Sequence, residues 1–168
     1  MQVTSSPTDA PAVVSPSSLA TDLYALVVFL HKNCTSDLFE AMGVLELGMT
    51  QIKVMHQLED APRALTLKEL AERIALSLPA ASRTIDDLVR RGFVERHEDV
   101  DDRRMKRVSV TERGRHVVRK LNAARLNGLE QFAQTLNDDE RRTLGEALQL
   151  LLRRDDVAVC RPEGDLRP

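Results

Sequence analysis

The chain has 168 residues, 42% hydrophobic and 30% charged, which suits one soluble globular domain with a short extension. Aromatics are only 3%, so the core must be Leu, Val, Ile and Ala, which favours a mainly helical protein over an aromatic-rich sheet. The net charge of −2 argues on its face against a polyanionic partner, Cys34 and Cys160 form no C-x-x-C, and no apolar run approaches the roughly 18 residues needed to cross a bilayer.

Residues 1–17, rich in Ser, Pro, Thr and Ala, read as a flexible arm without the basic and apolar regions of a signal peptide, so the cytoplasm is the expected location. From Ser18 a helical pattern places Leu19, Leu23, Leu26, Val27, Leu30 and Cys34 on one stripe, broadened by Val28, Phe29 and Leu38. Residues 39–48, with two glycines, read as a loop or short turn. Thr50 is the expected cap of a helix burying Ile52, Val54, Met55 and Leu58. Thr66 and Glu69 have capping-box spacing, and the two-turn helix they start buries Leu67, Leu70, Ala71 and Ile74. After a break at Ala75-Leu76-Ser77, Pro79 sits in the first turn of a helix that buries Ala81, Ile85, Leu88 and Val89 and stops at Gly92.

Residues 93–96 and 107–111 are strand candidates joined by a charged connection that contains His97. Thr111 then caps a long helix carrying Val117, Val118, Leu121, Ala124, Leu129, Phe132 and Leu136. Asn137 and Glu140 form a second capping box, opening a last helix with Leu144, Leu148, Leu151 and Leu152 on one side. The expected fold is mainly α with a small β-hairpin wing. Residues 18–154 form a single domain, with a lobe at 50–111 between helices at 18–48 and 112–154, and 155–168 read as a tail.

Two short helices followed by a basic-tipped hairpin is the plan of a winged helix-turn-helix, which sets one helix in the major groove of DNA. The overall charge hides a local bias: residues 103–120 hold eight Arg or Lys against Glu112 alone. On the helix beginning near Pro79, small residues such as Ala80 permit close approach to base edges, and Arg83 can reach guanine or a phosphate. Asp86 and Asp87 are poor neighbours for phosphates, which limits contact to the first two turns. Four basic residues in positions 103–107 must extend into water, because burying that charge is prohibitive, and such a tip suits the negative minor groove. Asp102 is close enough to Arg104 to orient it.

The run from Leu65 to Gly114, LTLKELAERIALSLPAASRTIDDLVRRGFVERHEDVDDRRMKRVSVTERG, resembles the winged-helix core of the MarR family of bacterial transcription regulators. DDRRMKRVSVTERG resembles the family's D-x-R wing, second strand and Leu-Thr-x-x-Gly helix start, with Val110 in place of the Leu. The resemblance implies DNA-binding positions at Pro79, Ala80, Ser82, Arg83, Asp102, Arg103, Arg104 and Lys106, with Asp102 bracing an Arg104 that enters the minor groove. It also implies a two-fold homodimer interlocked through Leu19, Leu23, Leu26, Leu30, Leu144, Leu148, Leu151 and Leu152. The DNA partner would be a double-stranded pseudo-palindrome, and the expected activity that of a repressor released by a small ligand. Many relatives take small aromatic or phenolic anions in a crevice, which His31, Met55 and His56 would border here.

No catalytic or phosphate-binding motif occurs, and the four histidines are dispersed, so neither an enzyme, a cofactor nor a metal is expected. Cys34 reads as a buried inert thiol, against the alternative of a cysteine-based redox sensor. A second alternative is a winged helix that binds protein instead of DNA. Arg104→Ala is expected to weaken binding to a selected palindrome, most where the flanking minor groove is narrow, and Asp102→Ala to do so more mildly. Dissociation constants on one palindrome at two salt concentrations check both; unchanged affinity in Arg104→Ala would remove the minor-groove role.

Overall fold

The computed structural model describes residues 14–99 and 106–160. In order these form α1 (Pro16–Asn33), α2 (Ser36–Val44), α3 (Met49–Glu59), β1 (Leu65–Thr66), α4 (Leu67–Ile74), α5 (Leu78–Arg90), β2 (Val94–Glu98), β3 (Lys106–Val110), α6 (Glu112–Thr135), α7 (Asp138–Leu151) and α8 (Asp155–Ala158). This is the mainly helical, winged architecture that the periodicity predicts.

The helix starts follow local side-chain chemistry. Ser15 Oγ accepts the Ser18 N–H at 3.2 Å and Pro16 occupies the first turn, so α1 begins two residues before Ser18 and takes residues 16 and 17 out of the arm. It ends at Asn33 because side chains take the last-turn carbonyls: Asn33 Nδ2 donates to the Phe29 carbonyl and Thr35 Oγ1 to that of His31. Residues 39–48 are not a loop, since most of them belong to α2. Gly43 stands inside that helix with open space around it, and Leu38 belongs to α2, where it is buried with Ala41. Gly48, not Thr50, caps α3, and its N–H donates to Gln51 Oε1 at 2.7 Å. The Thr66–Glu69 and Asn137–Glu140 boxes form as their spacing predicts. The expected tail carries one further helical turn, α8.

The sheet is antiparallel in the order β1-β3-β2, with Leu65 opposite Val108 and Val94 opposite Val110. The two-residue β1 is too short to show a period of its own. Val94, Val108 and Val110 face a core made with Ile52, Met55, Leu58, Leu70, Ile85, Leu88, Val118 and Leu121. The lobe at 50–111 is thereby packed on the first half of α6, while α2 packs along the same helix.

Two glycines allow α6 its close approaches. A Cβ at Gly114 would lie 2.1 Å from the Phe93 carbonyl oxygen, and one at Gly128 would lie 2.1 Å from that of Cys34. The first contact explains the glycine three residues after Thr111. The Thr111 N–H donates to the Phe93 carbonyl at 3.0 Å, and its hydroxyl donates to the Gly92 carbonyl at 2.8 Å, drawing the helix start onto β2. Gly92 itself has φ +73°, the left-handed conformation that glycine adopts without cost. Gly114→Ala is expected to destabilise the fold by about 1–3 kcal/mol through overpacking against backbone, seen as a lower Tm by circular dichroism; an unchanged Tm would show that this approach is not a constraint.

Candidate nucleic-acid interface

α5 starts with Ser77 Oγ accepting the Ala80 N–H at 3.4 Å and Pro79 in its first turn. Ala81, Ile85 and Leu88 are fully buried, which turns Pro79 and Arg83 outward, with Ala80 and Ser82 half-buried beside them. Asp86 and Asp87 do not repel a phosphate as free carboxylates would. Asp86 pairs at 2.7 Å with Arg96, which β2 presents beside the helix. Asp87 accepts from Gln51 Nε2 at 2.5 Å, pairs with Arg90 and lies 3.9 Å from Arg91. Among the described residues no carboxylate pairs with Arg83. The outward field of α5 is therefore cationic near its start and neutralised near its end.

Arg91 fixes that end, donating to the carbonyls of Glu46 (2.9 Å) and Leu45. Its guanidinium and that of Arg113 lie 5.1 and 5.2 Å from the centre of the Phe93 ring, a cation–π contact from each. The rear of the helix is thus fixed by Arg91.

Asp102, Arg103 and Arg104 lie outside the described residues. Lys106 opens β3 and is exposed. Arg107 departs from the solvent-extended basic tip in which the sequence places it. It is half-buried, donating from Nε to buried Asp99 and from a terminal nitrogen to the Ala64 carbonyl at 3.1 Å, while Glu69 lies 3.7 Å away. Glu69 also accepts the Thr66 N–H at 2.7 Å and pairs with Arg63 at 2.6 Å. The backbone hydrogen bond from Thr66, then the one from Arg63, holds its carboxyl down from the ordinary 4.5 to about 2. The first helix of the helix-turn-helix is tied to the root of the wing through these groups. Asp99 and Arg96 are the residues that sequence reasoning missed; each needs a partner from a distant element to acquire a role, and spacing alone does not signal one.

The family described as "MarR family" matches residues 47–106, from the turn after α2 to the start of β3. Wild-type apo MarR from E. coli is 26% identical, with a TM-score of 0.59 over 77% of this chain and 96% of that one. The family match covers the winged-helix lobe of the chain. RV1404 from Mycobacterium tuberculosis has the same fold at a TM-score of 0.70 and 21% identity, over 87% of this chain and 98% of its own. So has a mutant of S. aureus MepR bound to an oligodeoxyribonucleotide, at 0.62 and 16%, over 80% and 96%. A MarR-family match over this lobe implies DNA-binding transcriptional regulation in general.

The crevice expected for MarR-family ligands is not assembled by the three residues predicted for it. Met55 has no exposed surface and belongs to the core. His31 is exposed, edge-on to Phe39 at 6.4 Å between ring centres. His56 is half-buried; burial first, then Arg125, lowers its pKa from 6.5 against the opposing effect of Asp60, which leaves a neutral imidazole at pH 7. A cavity of about 460 Å³ lies instead between α2 and α6, bordered by Asp37, Glu40, Glu130 and Lys120, a lining that disfavours an anion. Cys34 is buried and Cys160 exposed. Among the described residues no group of three or more His, Cys, Asp and Glu side chains is placed to hold a metal ion, and no helix is long and apolar enough to cross a membrane.

Glu69 supplies a pH test of the wing's anchorage. Its folded pKa lies below the unfolded one, so its stabilisation is complete above about pH 4.5 and is lost as pH falls towards 2. Glu69→Gln is expected to flatten the acid limb of a urea-unfolding series in that window. An acid limb identical to that of the unsubstituted chain would show that Glu69 makes no net contribution.

Proposed function

We propose that the chain acts as a homodimer that holds a pseudo-palindromic double-stranded operator with two copies of α5 and represses until a small ligand releases it. One observation carries the dimer: no residue of α1 or α7 is buried, although both helices bear leucine stripes. Leu19, Leu23, Leu148 and Leu151 are exposed, and Leu26, Leu30, Leu144 and Leu152 only half-buried. Apolar surface left in water forgoes about 25 cal/mol per Å², and a two-fold axis lets the same stripes cover one another.

In this reading the two α5 helices enter successive major grooves about 34 Å apart. Pro79, Ala80, Ser82 and Arg83 meet base edges, and Lys106 with Asp102, Arg103 and Arg104 serves the wing. The oligonucleotide bound by the structurally similar MepR mutant supports this use of the fold. A small aromatic or phenolic anion is the effector class carried into the reading. The acidic α2–α6 cavity does not suit it; in this reading the ligand lies between the dimerisation helices and the winged lobe. Such a ligand releases DNA only by binding the incompetent arrangement of the two lobes more tightly than the competent one.

Two measurements test the proposal. Duplexes selected from a random pool are expected to bind with an affinity that falls steeply with salt, because phosphate contacts release counterions; a chain that selects no duplex does not read DNA. Leu148→Asp is expected to shift the protein from dimer to monomer in sedimentation, since it sets a carboxylate in the apolar contact. A stable monomer for the unsubstituted chain at micromolar concentration would overturn the dimer.

A further inference from the structure

We propose that Leu78 selects thymine in the operator, by apolar contact with the C5-methyl group at the front of α5. The inference rests on the DNA-binding reading and adds a base preference to it. From α3 to β3, only Met49 and Leu78 among the described residues are large, apolar and exposed; Leu78 is 49% exposed. Leu67, Leu76 and Val89, the other large aliphatics of α4, α5 and their turn that are not fully buried, pack against the core. Leu78 is therefore outside the core cluster and leaves half of its surface open.

Its place in the helix gives the leucine a target. Leu78 is the first residue of α5, directly after the Ser77 cap. Side chains on a helix lean towards its N-terminus, so the first one projects past the helix start. That is the end which a recognition helix brings to base edges. The same end is poorly equipped for phosphate: Pro79 has no N–H, and the Ala80 N–H is taken by Ser77 Oγ. An apolar side chain beside a base-pair edge gains nothing from the donors and acceptors that most of the major groove displays. The thymine methyl is the apolar group that groove offers.

The experiment uses the full chain and a duplex it has itself selected. Each thymine is replaced singly by uracil, which removes the methyl and keeps the base pairing, and dissociation constants are measured at one salt concentration. At one position in each half-site, replacement is expected to weaken binding about fourfold, the scale of losing one buried methyl group. Leu78→Ala is expected to bind the thymine and uracil duplexes equally, with an unchanged Tm because the side chain lies outside the core. Leu78→Met is expected to keep the preference. Should no uracil duplex bind less well, or should Leu78→Ala keep the full thymine preference, the assignment is overturned while DNA binding stands. A chain that selects no duplex overturns both.

Discussion

Arg107 joins three parts of the chain through one guanidinium. It reaches the carboxylate of Asp99 after β2, the carbonyl of Ala64 before β1, and the capping carboxylate of Glu69 on α4. A planar fork of donors suits such a junction better than the single point charge of a lysine. Asp99 is buried, and a carboxylate in that position without a cation would cost far more than any surface charge. The pairing also sets direction, because β3 is hydrogen-bonded to both β1 and β2. The root of the wing is placed relative to α4, and α4 is placed relative to α5 by the turn at Ala75.

With the wing root fixed, the distribution of charge over α5 follows from which arginines find partners nearby. Arg90 and Arg96 sit beside Asp87 and Asp86, so four charges cancel locally and Arg83 stays available. The chain's overall −2 therefore says little about the surface presented by this helix. Local neutralisation also removes the repulsion that two free carboxylates would exert on an approaching phosphate backbone.

Much of the architecture was legible in the sequence because its signals are local. The capping boxes at Thr66 and Asn137, the stop at Gly92 and the leucine periods depend on residues three or four apart, and each appears where spacing puts it. Elements decided by distant partners were not legible. α2 carries a glycine that suggests a loop, yet it is held by packing Leu38 and Ala41 towards α6. β1 is two residues long and exists because β3 supplies its partner. Arg107 looks like one more solvated cation until Asp99 and Glu69 are brought beside it. Met55 looks like a crevice residue until α4, α5 and β3 close over α3.

α6 runs unbroken for 24 residues, about 36 Å at the usual helical rise. One end is seated on the Phe93 carbonyl at Gly114, and the middle rests against Cys34 at Gly128. Backbone contacts of this kind leave little room for sliding, so the helix behaves as a lever with two bearings. A tilt of only about 5° about the Gly114 end carries the far end through roughly 3 Å and must take Cys34 and the end of α1 with it. That is a large fraction of the spacing between neighbouring base pairs, so in the proposed dimer a small tilt of α6 alters how the two α5 helices fit the turn of a duplex.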